Sequence, residues 1–212
     1  MRCCSWIITS ASERGIAIKP ALRLCLLVLL LALGACQQGK PGFRATDITG
    51  ADFGRDFALT DHTGMPRSLA HFRGRVVVMF FGFTHCPDAC PTTLAELAAA
   101  VKKLGADGDK VQVLMVTVDP ERDTPQVLSQ YVTAFDPRFL ALRGTVEETA
   151  RVGKEFKILY KKVAGARPDS YTMDHSAGTY IFDTQGRLRL YVSYGLGPEV
   201  FAHDIALLLR QT

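Results

Sequence analysis

Three features of the chain predict an α/β sandwich built on a mixed sheet: short continuous apolar runs rich in β-branched residues, amphipathic segments alternating with them, and a late pair of β-rich runs joined by a tight turn. The first run, residues 75–83 (RVVVMFFGF), reads as a strand buried on both faces. Residues 91–104 place apolar side chains at 94, 97, 98, 101 and 104 and stop at Gly105, the pattern of an amphipathic helix. Strand, short loop and helix make the first half of a βαβ unit. Residues 110–118 repeat the strand signal, and 124–135 read as a helix that Asp123 or Thr124 could cap, with Pro125 in its first turn. A short strand over 139–142 precedes a helix over 145–156 that opens on Glu147 and Glu148. Strands at 179–182 and 187–193 flank the turn Asp183-Thr184-Gln185-Gly186, and residues 198–209 close the chain as a helix.

The 212 residues, 48% hydrophobic and 22% charged, exclude disorder and amount to one domain with a short appendage. The formal charge of +4 could suggest a polyanionic partner, but its location argues otherwise. Arg2, Arg14, Lys19 and Arg23 precede residue 36 with only Glu13 against them, so the remainder holds 21 cations and 20 acids. No basic stripe survives to bind nucleic acid, and Lys161-Lys162 reads as a solvated turn.

Behind those four cations, residues 24–33 (LCLLVLLLAL) form an uncharged run that ends in Gly34 and Ala35, the layout of an export signal. The run is half the roughly 20 residues a spanning helix needs, which disfavours the competing reading of an uncleaved anchor. Leu33-Gly34-Ala35-Cys36 resembles a bacterial lipobox, which implies acylation of Cys36 and a lipid tether to the membrane. The n-region of 23 residues is long, and the true start could lie downstream of Met1. The predicted organisation is a signal over 1–35, a flexible tether over 36–50 and a working domain over 51–212, placed at the periplasmic face of the cell envelope.

Beyond the signal and Cys36, only Cys86 and Cys90 remain, in Cys86-Pro87-Asp88-Ala89-Cys90 between the first buried strand and the first helix. The carboxyl end of a strand is where α/β sheets place their sites. A spacing of four puts both sulfurs on one helical face, and a helix N-terminus stabilises thiolate, so both thiols are expected to be unusually nucleophilic. A structural disulfide, redox exchange and metal binding all use such a pair. The loop is too short for a disulfide to gain much stability from chain entropy. Two thiolates are too few for structural zinc, whereas adding one imidazole makes a Cys2His set that suits Cu(I) and can also hold Cu(II). Five imidazoles are available. His85 adjoins Cys86 and could point away from it, His203 falls within the last helix, and His62 and His71 sit in turn-like polar sequence. His175 occupies a predicted loop before the strand 179–182, from which it could fold back over the sulfurs.

Three stretches, FGFTHCPDACPTTL (81–94), VTVDPERDTP (116–125) and DHSAGTYIFD (174–183), resemble in the same order the signatures of the Sco/SenC family of copper chaperones. The segment 59–82 is also similar to that family's opening. The resemblance implies a thioredoxin-like fold with a hairpin insertion near the metal-binding histidine, copper held by Cys86, Cys90 and His175, and a supporting or partner-docking role for Asp119. Asp119 has a plainer alternative, a turn after the strand 110–118. The resemblance further implies delivery of copper from a periplasmic donor to the copper-bearing subunit of a cytochrome c oxidase, with its copper A centre as destination. Ala177 stands where periplasmic thioredoxin-like reductases carry a proline that covers the cysteine pair, and CxxxC is one residue longer than their CxxC. A membrane-tethered thiol–disulfide reductase using Cys86 and Cys90 is the rival reading, and enzyme activity stays open on that account. A peroxidase lacks support, because no PxxxTxxC arrangement is present.

Overall fold

The computed structural model describes residues 42–167 and 170–211, so the segment predicted as an export signal and Cys36 lie outside the described residues. Its principal strand, β4 (Val76–Gly82), is buried at every position because the sheet carries a core on each face. Val76, Val78 and Phe80 join one core, while Val77, Met79 and Phe81 join the other. Alternation with a period of two thus meets apolar partners on both sides. Full burial of each such side chain is worth about 1.5–3 kcal/mol, which makes this strand the centre of the fold.

In chain order the sheet strands are β1 (Thr46–Asp47), β2 (Leu59–Asp61), β3 (Pro66–Arg67), β4, β5 (Val111–Thr117), β6 (Leu140–Arg143), β9 (Thr179–Phe182) and β10 (Leu188–Val192). They are ordered β1-β10-β9-β4-β5-β6-β2-β3, with β4, β5 and β6 parallel and β9 antiparallel to β4. The predicted mixed sheet is therefore present. Helix α1 (Ala89–Lys103) buries Leu94, Leu97 and Val101 in the first core, where α2 (Pro125–Thr133) adds Leu128 and Val132, and α4 (Pro198–Arg210) adds Ile205 and Leu208. Helix α3 (Val146–Glu155) and Phe156 pack on the opposite face with Phe81 and Phe182.

Local signals place the helix starts. Thr145 accepts from the Glu148 backbone N–H while the Glu148 carboxylate accepts from the Thr145 N–H, closing a capping box on α3. Thr124, not Asp123, caps α2 by accepting from the Val127 N–H, which leaves Asp123 for another purpose.

Two sequence expectations change. Residues 43–50, assigned to a tether, belong to the folded unit, which begins at Phe43. β1 pairs with β10 there, and buried Asp204, 160 residues away, accepts the Arg44 and Ala45 backbone N–H groups. A polar segment fastened by so distant a carboxylate carries no periodic signal. The second change is a separate two-stranded sheet, β7 (Tyr160–Ala164) with β8 (Tyr171–His175), which is the hairpin that the resemblance implied. Lys161-Lys162 is no turn but the exposed middle of β7, and His175 is not in a loop but the last residue of β8, opposite Tyr160. β7 lies mostly in solvent, so burial imposes no apolar alternation on it, and β8 alternates only briefly, with Met173 in the second core and Tyr171 packed against it.

Candidate metal centre

The carboxyl ends of β4 and β5 meet the amino end of β9 at one edge of the sheet. β4 ends at Gly82, and the chain turns through Phe83-Thr84-His85-Cys86, with the Cys86 N–H donating to the Phe83 carbonyl at 3.2 Å. Cys90 follows in the first turn of α1, and its backbone N–H points at Cys86 Sγ, 3.4 Å away. From across the sheet edge β8 delivers His175, whose Nε2 lies 4.0 Å from Cys90 Sγ. The ligand atoms of Cys86, Cys90 and His175 all lie within 4.8 Å of one another. Among the described residues this is the cluster of such groups suited to a metal ion.

The imidazole is set for ligation. His175 Nδ1 is 3.0 Å from the Ser176 carbonyl, which can only accept, so Nδ1 carries the proton and Nε2 keeps its lone pair toward the sulfurs. Phe83 braces the ring edge to face at 5.7 Å. The other imidazoles are engaged elsewhere: His62 with the Ala141 N–H, His71 with Ser68, and His203 with Asp204. His85 is exposed and outside the three-atom cluster.

The two sulfurs are unequal. Both cysteines are free, with Cys86 half-buried and Cys90 only 2% exposed. Burial pushes the Cys90 thiol well above its ordinary range, and the neighbouring Cys86 and Asp123 charges add to the effect. The expectation that both thiols are nucleophilic therefore fails for Cys90: lost hydration outweighs the helix N-terminus. A bound soft cation reverses that balance by taking the proton's place. Three soft donors with no fourth protein ligand among them leave an open, low-coordinate site that can exchange its occupant.

Two residues that the sequence left undervalued hold this arrangement. Asp123, fully buried, accepts from Thr84 Oγ1 at 2.6 Å and Thr117 Oγ1 at 2.5 Å, and so ties the cysteine turn to the end of β5. At Gly82 an added Cβ would stand 2.6 Å from Cys90 Sγ, so the sulfur occupies space that only glycine leaves. The DxxxD spacing after a buried strand was the available signal for Asp123.

Asp119 does not reach the three ligands. Its buried carboxylate accepts from the Tyr171 phenol at 2.9 Å and pairs with Arg122 Nε at 2.5 Å. Arg122 also donates to the Tyr171 carbonyl and lies 3.6 Å above that ring. Burial, reinforced by the bond to Asp119, pushes the Tyr171 phenol up to about 12, so it remains the donor. The 119–122 turn thus fastens the first residue of the strand that ends in His175. Tyr171→Phe removes a hydrogen bond to a charged group, worth about 1.5–3 kcal/mol, so hydrogen exchange at the β7 and β8 amides is expected to quicken about 10- to 100-fold. Amides of β4 and β5 keep their protection. Unchanged exchange in the hairpin would show that Asp119 does not hold it.

Residues 45–210 match the SCO1/SenC family model. The chain belongs to the SCO1/SenC family. A mouse relative, the mitochondrial protein SCO2 homolog, is 40% identical over 152 residues, which are 71% of this chain and 60% of the relative. The chain therefore spans about 60% of the length of that curated relative. Bradyrhizobium japonicum ScoI with copper bound is 40% identical, with a TM-score of 0.66 over 75% of this chain and 100% of that one. BsSco, a member of the Sco family of cytochrome c oxidase assembly proteins, shares the thioredoxin-like Sco fold at 22% identity and TM-score 0.59, over 82% of this chain and 100% of its own. In this Sco chain the signature stretches converge on one sheet edge.

Proposed function

We propose that this protein is a copper metallochaperone that delivers copper to a respiratory cytochrome c oxidase, with the copper A centre of the copper-bearing subunit as destination. The observation that carries the reading is that the ligand atoms of Cys86, Cys90 and His175 lie within 4.8 Å of one another, with only Cys90 fully buried. Two thiolates and a neutral imidazole suit Cu(I) and accept Cu(II). The copper-bound ScoI relative at 40% identity supports that choice of metal. Transfer proceeds by ligand exchange, in which the incoming donor and then the oxidase subunit share copper with the cysteines. Asp119 supports the site through the hairpin. The charge-flanked apolar run over 24–33 and Cys36 support an acylated lipoprotein held at the periplasmic face of the membrane.

A thiol–disulfide reductase that keeps the oxidase subunit's cysteines reduced is the second reading, favoured by the contrast between half-buried Cys86 and buried Cys90. The more accessible Cys86 sulfur would, as thiolate, open the client disulfide and the buried Cys90 thiol would resolve it, leaving Cys86–Cys90 oxidised and the client a dithiol. Deletion of the gene under limiting copper separates the two. Loss of copper A-dependent oxidase activity that added copper restores supports the chaperone. A defect that survives added copper but is corrected by a thiol reductant supports the reductase, and normal oxidase activity overturns both.

A further inference from the structure

The exposed histidine beside the cysteine pair is prepared for a role that the three-ligand site leaves unused. Thr84 has a single hydroxyl hydrogen, and it is spent on Asp123 Oδ1 at 2.6 Å, because a carboxylate only accepts. His85 Nδ1 lies 3.2 Å from the same hydroxyl oxygen. That oxygen must therefore accept and Nδ1 donate, which in the neutral ring leaves the lone pair on Nε2. The ring is held as well as oriented. Its neighbours are fixed on both sides, by the Thr84 N–H to Asp123 at 3.2 Å and by the Cys86 N–H to the Phe83 carbonyl. Asp123, which anchors this turn, is itself buried and bonded to Thr117.

Access to the site runs the same way. Cys90 is 2% exposed, whereas Cys86 is half-buried and follows the exposed His85 directly in the turn. Of these three side chains, His85 and Cys86 are the ones within reach of solvent.

We propose that His85 is an entry ligand, at which copper carried by an incoming complex lands on Nε2 before passing to Cys86 and then into the Cys86–Cys90–His175 site. In the first step a copper–donor bond breaks and a copper–nitrogen bond forms at Nε2 of the neutral ring, which binds without releasing a proton. In the second, copper moves to Cys86 Sγ, whose thiol proton goes to water, and its oxidation state does not change. The inference rests on the copper-handling reading above and adds a fourth residue that acts in transit only.

The test is stopped-flow uptake of copper from the Cu(I) complex of bicinchoninic acid, read by loss of the complex's colour. Wild-type protein is compared with His85→Ala and His85→Asn, both at an exposed position. One lost exchange partner is expected to slow uptake about tenfold in both variants, equivalent to roughly 1.4 kcal/mol of barrier. The final copper content stays at one per chain, with affinity within about twofold of wild type. Wild-type uptake with unchanged rates in both variants overturns this inference alone. Loss of copper at equilibrium in the variants also overturns it, by making His85 a resting ligand. A wild-type chain that takes no copper overturns the chaperone reading and the inference with it.

Discussion

His175→Ala is expected to lose tight copper binding and keep its fold. The side chain is half-buried at the end of β8 and belongs to neither core, so its removal opens no core cavity. What disappears is the one neutral nitrogen donor, positioned 4.0 Å from Cys90 Sγ with its tautomer set by the Ser176 carbonyl. Changes to residues that merely orient a metal ligand cost about 10- to 100-fold in affinity, so deletion of a ligand itself is expected to cost more than about 100-fold. Competition against a chromophoric Cu(I) chelator measures the loss, and circular dichroism checks the fold. Affinity equal to wild type would sink the three-ligand arrangement and leave the cysteine pair acting by itself, as a reductase requires.

Gly82→Ala attacks the same site from beneath. The new methyl would lie 2.6 Å from Cys90 Sγ and 3.2 Å from a Phe80 ring carbon, well inside the roughly 3.5–4.0 Å at which nonbonded carbon atoms settle. The sulfur is the end of a short side chain and can rotate away, so overpacking is expected to cost only about 1–3 kcal/mol of stability. Rotation takes Cys90 Sγ out of its triangle with Cys86 and His175, however. Copper affinity is therefore expected to fall about 10- to 100-fold, the range for a misdirected ligand. A small shift in urea midpoint beside a large shift in copper affinity is the signature. Equal copper affinity in the variant would mean that the sulfur's place above Gly82 is not needed for binding.

Elements whose burial writes a period into the residues are legible in the sequence alone. The run 75–83 contains β4, the helix predicted over 91–104 is α1 with Leu94, Leu97 and Val101 inward, though it starts two residues earlier at Ala89, and Thr145 and Glu148 close a capping box at the predicted start of α3. Elements that bury little were not legible: β7 is almost entirely exposed, and β1 is secured by an aspartate on the last helix. Asp123 illustrates the same limit within the site. Read locally it was one of two candidate helix caps, but the other, Thr124, fills that place, and the Asp123 carboxylate instead joins the cysteine turn to β5.

By itself the sequence determined which chemistry was available: two cysteines at a strand–helix junction and a histidine in a third motif, with most of the charge excess confined to the residues before Cys36. Tertiary structure decided that these groups form one site and that its two sulfurs differ. His175 is 85 residues from Cys90, and only the antiparallel placement of β9 beside β4 brings the histidine to the end of the sheet where the cysteine turn begins. The unequal thiols follow from the burial of one sulfur against the core while its neighbour stays half exposed. Spacing along a chain encodes local periodicity and turn chemistry. Solvent exposure, and contact between distant residues, depend on the order in which strands pair and on what packs above them.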